Sequence, residues 1–211
     1  MFGIGRRSSM YTKSRKPKLR ITQSLLSAWQ YSFKREDGWD DFLAALNREK
    51  KQPTKAMLDG TRFENCLNNV LNGEEIKEDH EWYKPIRQLA RYLDGSQQQV
   101  VLFKDIEVAD QPILLHGVLD FLKAGVIYDT KYSKNYHLNK YLDSPQHPMY
   151  LELVPEAMRF EYLSCDGEWV YRECYPRDIV EPIQPTIKHF LDFLKANNLY
   201  DIYSEKWRVN N

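Results

Sequence analysis

Cysteine is scarce in this sequence, and the few cysteines are scattered. Cys66, Cys165 and Cys174 are odd in number and show no C-x-x-C spacing. Zinc and iron–sulfur sites built from cysteine need clustered thiolates, so we expect neither an iron–sulfur cluster nor a cysteine-ligated zinc ion. A chain with this cysteine usage is expected to be a reduced, cytoplasmic protein.

Long apolar runs and nucleotide-binding motifs are missing as well. No apolar stretch approaches the roughly 20 residues of a transmembrane helix, and the N-terminus lacks the apolar core of a signal peptide. The pattern G-x-x-x-x-G-K-S/T, whose backbone cradles nucleotide phosphates, does not occur. We therefore expect no membrane partner and no nucleotide cofactor.

Neither sign of charge is in excess, because 30 basic and 30 acidic residues cancel in the 211-residue chain. The charges are nevertheless unevenly distributed, since residues 1–20 carry seven cations and no acid. We expect a flexible basic arm over 1–20, which is either simply solvated or in contact with phosphates. Residues 21–211 fit one domain, since 42% of the chain is hydrophobic.

The hydrophobic period changes twice along the chain. Helical spacing predicts helices over 21–33, 37–50, 53–73 and 80–93, the first of them capped by Thr22 or Ser24. Three strands are predicted at 98–108, 113–122 and 125–133, followed by a helix over 146–154. A hairpin over 158–174 and a helix from 178 to about 197 complete an α/β or α+β domain.

Two of the predicted strands each place an aspartate where the pattern asks for a core residue. If the chain turns tightly at Ala124 and Gly125, Asp120 and Asp129 stand opposite each other. Directly opposed strand residues have Cβ atoms about 5 Å apart, where like charges repel. Strand alternation also puts Lys131 on the same side as Asp129.

A shared cation would relieve this repulsion. Mg²⁺ takes oxygen ligands and is usually held by one or two carboxylates, with waters and phosphate oxygens completing its shell. Such an ion polarises a phosphodiester and activates a water, and Lys131 would stabilise the developing charge or orient that water. The alternative is a solvated hairpin tip on which Asp120, Asp129 and Lys131 are ordinary surface residues.

Three polar residues on predicted helices extend this set. Glu64 interrupts an apolar helical stripe, so it is either the edge of that stripe or a third oxygen ligand. Gln146 and Tyr150 stand four apart on the helix after the strands and project together, either as a surface pair or as hydrogen-bond donors to a phosphate. Lys134 follows the second aspartate strand, where it would line a DNA groove.

The four blocks GTRFE, HGVLD, YDTKYS and QHPMY occur in this order between residues 60 and 150. Together they resemble the PD-(D/E)xK nuclease superfamily, and in particular its RecB-like and phage-exonuclease branch. The resemblance implies a restriction-endonuclease-like core with a central mixed β-sheet flanked by helices. It also implies roles for the matching positions: metal ligands at Glu64, Asp120, Asp129 and the carbonyl of Thr130, a catalytic lysine at Lys131, and substrate contacts from Gln146 and Tyr150.

The resemblance also implies an activity. We expect a Mg²⁺-dependent deoxyribonuclease, with Mn²⁺ as a substitute, that acts as an exonuclease in recombination, repair or phage DNA metabolism. DNA would be its partner, in the cytoplasm of a host if the chain is phage-encoded, and a single-strand annealing or other recombination protein and an oligomeric state stay open. Two alternatives remain: a structure-specific or nicking endonuclease on the same site, and a non-catalytic protein that binds nucleic acid with a nuclease fold.

The basic arm yields a first prediction. Deleting residues 1–18 should weaken nucleic-acid binding without affecting the site, because the arm carries cations and no acid. Each phosphate contact that is lost should reduce the slope of log affinity against log salt by about 0.7 to 0.9. Binding titrations at several salt concentrations measure this slope. An unchanged slope would show that the arm is solvated and makes no contact with phosphates.

Overall fold

Six strands form one mixed β-sheet in the computed structural model, which describes residues 16–34 and 36–209. The strands are β1 (Leu19–Thr22), β2 (Gln97–Val108), β3 (Gln111–Lys123), β4 (Val126–Tyr132), β5 (Arg159–Cys165) and β6 (Val170–Pro176). Their order is β1-β3-β4-β5-β6, with β2 paired to the other edge of β3. Two pairs are parallel, β1 with β3 and β4 with β5, and the remaining pairs are antiparallel.

Seven helices accompany the sheet in the described chain. They are α1 (Gln23–Tyr31), α2 (Gly38–Leu46), α3 (Lys55–Leu71), α4 (Tyr83–Leu93), α5 (Gln146–Leu153), α6 (Ile183–Ala196) and α7 (Tyr200–Lys206). Threonine side chains cap two of them: Thr22 accepts from the Leu25 amide at 3.3 Å, and Thr54 accepts from the Met57 amide at 3.3 Å. None of the helices described is long and apolar enough to cross a membrane.

Helices cover both faces of the sheet. Ile127, Phe160 and Tyr162 belong to a large core cluster with α1, α5, α6 and α7, whereas their strand neighbours Tyr128 and Leu163 belong to a second cluster with α3 and α4. Alternate strand residues thus point to opposite helical layers. The predicted class, an α/β fold with a central mixed sheet flanked by helices, is confirmed.

The long strand β3 has an opening along one edge. On that edge β1 pairs with Ile113 to His116, and β4 pairs with Phe121 to Lys123. Among the described strands, none pairs with residues 117–120 on that side. β1 and β4 therefore diverge at the segment of β3 that carries Asp120, while β2 stays paired along the other edge.

The predicted hairpin between β3 and β4 is present. Lys123 pairs with Val126, and both central residues of the turn have positive φ, +48° at Ala124 and +74° at Gly125. Positive φ at both positions gives a two-residue turn the twist that paired antiparallel strands need. The register inferred from this turn is confirmed.

Several predicted boundaries were wrong at the two ends of the chain. Leu19 and Arg20, assigned to the basic arm, lie in β1, and Lys18 forms an ion pair with Asp105 at 2.7 Å. The helix expected from 178 begins only at Ile183, after a short 3₁₀ turn, and α7 was not predicted. Residues 1–15 of the arm lie outside the described residues, so a truncation that tests the arm alone should end at residue 15.

Two glycines yield a stability prediction. A Cβ at Gly117 would overlap the ring of Tyr150 and lie 2.8 Å from Leu153 Cδ1. Gly117→Ala should therefore lower the free energy of unfolding by about 1–3 kcal/mol, since both neighbours are buried in the core.

Gly60 is the matched control, because a Cβ there meets nothing within 4 Å and the residue lies inside α3. Gly60→Ala should raise stability by up to about 1 kcal/mol through helix propensity. Denaturant titration measures both variants. Equal stability for Gly117→Ala and the wild type would contradict the packing of Tyr150 against β3.

Candidate active site

Asp120 and Asp129 face each other where the β3–β4 ladder ends. Phe121 and Tyr128 form the last ladder pair, so the two aspartates are the next opposed residues. Asp129 is 3% exposed, and Asp120 is half-buried. The Thr130 amide donates to Asp120 Oδ2 at 3.2 Å, so a side-chain carboxylate occupies the place of a further ladder bond.

The two carboxylates disturb each other electrostatically. Burial and the charge of Asp129 raise the pKa of Asp120 well above its ordinary value, and Lys131 and the Thr130 amide offset only part of this. Lys131 Nζ lies 2.7 Å from Asp129 Oδ2. Burial lowers the pKa of Lys131, but Asp129 and Asp120 outweigh burial and raise it overall. The lysine is therefore held as a cation beside two acids.

Helix α5 contributes a glutamine that contacts the second aspartate directly. Gln146 is 5% exposed, and its Nε2 donates to Asp129 Oδ1. Tyr150, one turn later, is 6% exposed and donates its hydroxyl to the Val118 carbonyl at 2.9 Å. Val118 lies in the opening of β3, where the edge that faces β1 and β4 has no partner among the described strands. The core-facing side of α5 carries both residues, so the surface-pair alternative is wrong. The contact of either residue with a phosphate stays a prediction.

Glu64 lies at the border of the site. Its charge is close enough to raise the pKa of Asp120, but its Oε1 accepts a hydrogen bond from Gln99 Nε2 at 3.2 Å. Gln99 falls opposite Asp120 in the β2–β3 register, between the pairs Gln98–Phe121 and Val100–Leu119. Its φ is +50°, and among the described strands Gln99 has no ladder partner, although the register is the same on both sides of it.

Gln99 was missed by sequence reasoning. Only its place within a run of three glutamines marks it, and a left-handed residue inside a strand leaves no sequence pattern unless it is glycine or asparagine. Lys134 lies exposed in the loop between β4 and α5, and no described contact brings it to the aspartates.

The donor set fits a hard divalent cation held by two carboxylates. Among residues 16–34 and 36–209, no three His, Cys, Asp or Glu side chains come together to hold a metal ion. Magnesium sites commonly use only one or two protein carboxylates, with waters and substrate oxygens as the other ligands. Two opposed acids whose combined negative charge exceeds the single positive charge of Lys131 meet that need.

Comparison with known proteins supports the fold. No family model matches the sequence, and no curated protein matches it. The chain is similar to the crystal structure of SSO0001, with 14% sequence identity, a TM-score of 0.52, and coverage of 88% of this chain and 79% of that one. It also aligns with the crystal structure of LHK-Exo in complex with dAMP, with 15% identity, a TM-score of 0.45, and coverage of 94% and 97%. The likeness to SSO0001 concerns the fold alone, which is similar to nuclease folds.

The repulsion between the acids yields a prediction for the metal-free protein. The folded state raises the pKa of Asp120, so it binds this proton more tightly than the unfolded state does. Stability is then lost as the pH rises from the unfolded pKa through the folded one. At neutral pH, Asp120→Asn should raise the free energy of unfolding by on the order of 1 kcal/mol, which corresponds to a rise in melting temperature of about 2–4 °C. This gain in stability should shrink toward pH 4.

Asp192→Asn is the control, because Asp192 is an exposed acid whose pKa is lowered by its hydrogen bond from Lys188. Its removal should give no gain at any pH. Thermal melts in EDTA from pH 4 to 8 measure both variants. A lower melting temperature for Asp120→Asn across the whole range would show that this carboxylate is net stabilising.

Proposed function

We propose that the chain is a metal-dependent DNA nuclease of the PD-(D/E)xK type that hydrolyses phosphodiester bonds. The observation that carries this proposal is the opposition of Asp120 and Asp129, with Lys131 beside them, at the opening in β3. Like charges held together in a protein interior are costly unless a bound group uses them. The four ordered motif blocks of the sequence point to the same chemistry.

Asp120 and Asp129 would hold the ion, which is Mg²⁺ with Mn²⁺ as a substitute. When bound, a divalent cation supplies Lewis-acid polarisation of the phosphodiester and lowers the pKa of its water. The Thr130 carbonyl, directly after the second acid, is the proposed backbone ligand. Glu64 is the proposed third acid, and Gln99 holds it at the border of the site.

Lys131 would act on the phosphate. Its raised pKa keeps the ammonium charged at neutral pH, so it can stabilise the negative charge that develops on the phosphate oxygens. The ion pair with Asp129 fixes the position of the ammonium group at 2.7 Å. A lysine that stays charged serves as an electrostatic group and not as a general base.

Gln146 and Tyr150 would be positioning residues. Gln146 orients the Asp129 carboxylate through its amide, and Tyr150 seals the opening of β3 through the Val118 carbonyl. Gln146→Ala would then act through the aspartate, while the substrate contact assigned to Tyr150 has no support in its burial. Lys134, exposed after β4, remains a proposed substrate contact.

Exonuclease action on DNA is the preferred form of this activity. The motif blocks resemble the phage-exonuclease branch, and the sequence carries no zinc finger or other dedicated element that reads bases in a groove. A structure-specific endonuclease would use the same acids and lysine. A non-catalytic binding protein would have no use for the buried acid pair.

One experiment separates these alternatives. Covalently closed circular DNA and the same molecule linearised are incubated with the protein in Mg²⁺, Mn²⁺ or EDTA. We expect metal-dependent loss of the linear form while the circle survives. Asp129→Asn and Lys131→Ala should each slow this loss by roughly 10²-fold or more, while Asp192→Asn should retain full activity.

The other outcomes are equally specific. Nicking of the circle at the rate at which the linear form is lost would make the protein an endonuclease. Binding of both forms without cleavage would support the non-catalytic alternative. Full activity in Asp129→Asn would overturn the assignment of the site.

A further inference from the structure

A cavity of about 800 Å³ lies between α4 and the hairpin of β5 and β6. Its polar lining combines cations and tyrosines with Gln88, and no acid of the described chain lines it. We call it the cationic cleft, and the side chains that define it are Tyr83, Lys84, Arg87, Arg91, Tyr92 and Arg172.

The cationic cleft is separate from the candidate active site. Leu163, which also lines it, belongs to the core cluster under α3 and α4. Asp129 pairs with Tyr162, which belongs to the opposite cluster under α5. Because parallel ladder partners point to the same face, the sheet itself lies between the cationic cleft and the Asp129 carboxylate.

Three of the cations have no anionic partner in the part of the chain that the structure describes. Lys84, Arg87 and Arg91 are exposed along one edge of α4 at spacings of three and four residues. No ion pair or hydrogen bond within residues 16–34 and 36–209 engages their side chains. At a rise of 1.5 Å per residue, they cover about 10 Å of the helix. In a chain of zero net charge, these three side chains concentrate positive charge on one surface, where an anionic ligand could bind.

The fourth cation is rigidly held together with an aromatic ring. Arg172 Nη1 donates to the Tyr92 hydroxyl at 3.2 Å, and that hydroxyl donates to Glu161 Oε2 at 3.1 Å. Glu161 is 1% exposed and is already bound by Arg159 Nε at 2.6 Å. Glu161 Oε2 also lies 4.0 Å from Arg172 Nε, so the acid offsets part of the charge of Arg172 and fixes the Tyr92 ring that lines one side of the cleft. The positive charge of the cationic cleft therefore comes mainly from Lys84, Arg87 and Arg91 on α4.

We propose that the cationic cleft binds the sugar–phosphate backbone of a single-stranded nucleic acid, with bases stacked on Tyr83 and Tyr92. Proteins that bind single strands combine a positive groove with aromatic platforms in this way. A groove for acidic peptides would need the cations alone, and the two tyrosines would be idle. The proposal rests on the proposed function only in taking nucleic acid as the substrate. The strand segment in the cationic cleft lies away from the bond that is cut, so it adds affinity and not chemistry.

Binding of a labelled homopyrimidine oligonucleotide in EDTA tests the proposal without cleavage. The double variant Arg87→Gln/Arg91→Gln should bind about tenfold more weakly at 0.1 M salt, and its slope of log affinity against log salt should fall by about 1.4, or 0.7 for each lost contact. Tyr83→Leu should weaken binding by about fivefold or more without changing the slope. In Mg²⁺, the double variant should raise KM for single-stranded substrate and leave kcat unchanged.

The matched control is Lys188→Gln/Lys195→Gln on α6, where Lys188 already pairs with Asp192 and Lys195 lies over the ring of Tyr200. This variant should keep the wild-type slope, and thermal melts should show that all variants are folded. A wild-type slope in Arg87→Gln/Arg91→Gln would overturn the proposal. So would displacement of the oligonucleotide by polyglutamate at equal charge concentration, since that result makes the cationic cleft a site for acidic peptides. Binding by the wild type with no cleavage in Mg²⁺ or Mn²⁺ would instead reject the proposed function and leave the cationic cleft standing, whereas a wild type that binds no DNA would reject both.

Discussion

The repulsion between two neighbouring carboxylates determines which groups surround them in the candidate site. Asp120 and Asp129 come together because the β3–β4 turn fixes the register, and no rearrangement of side chains can separate them. The Thr130 amide donates a hydrogen bond to Asp120. Asp129 forms an ion pair with Lys131 and accepts a hydrogen bond from the Gln146 side chain. These groups leave part of the repulsion in place, since the pKa of Asp120 stays raised. The divalent cation that we propose for this site would relieve the remaining repulsion.

The opening in β3 gives this charge pair its space. Had β4 continued along β3 to His116, strand pairing would have covered the segment that carries Asp120. Instead the Tyr150 hydroxyl donates a hydrogen bond to the Val118 carbonyl, and the Tyr150 ring fits against β3 only because Gly117 has no side chain. The glycine of the second motif block and the tyrosine of the fourth are therefore two halves of one contact. This contact gives the two residues, more than thirty positions apart, a shared structural reason, and the substrate contact of Tyr150 stays a prediction.

Sequence reasoning succeeded where short-range rules decide the outcome. Period-two alternation and the Ala124–Gly125 turn were enough to oppose Asp120 and Asp129, and the Thr22 cap marked the start of α1. It failed where a distant partner decides. The segment of β1 looks like the end of a basic arm until β3 pairs with it, and helical spacing cannot tell which side of α5 faces the core.

The cationic cleft shows the same limit. The spacing of its cations along α4 is visible in the sequence, but the cavity beside them exists only because β5 and β6 pack against that helix. Gln99 is a further case, because neither its left-handed conformation nor its hydrogen bond to Glu64 is marked by a sequence pattern.

The pairing of β1 also determines when the fold can be completed. The Arg20 amide donates to the Trp207 carbonyl at 2.8 Å, and the Val209 amide donates to the Lys18 carbonyl at 2.9 Å. Contacts across nearly the whole described chain form slowly, because most of the chain must be ordered before they are made. β1 can pair with β3 once residues 113–116 are in place, and its hydrogen bonds to residues 207–209 are expected to form later. Because release of residues 207–209 removes hydrogen-bond partners from β1, we expect the two ends of the described chain to open together.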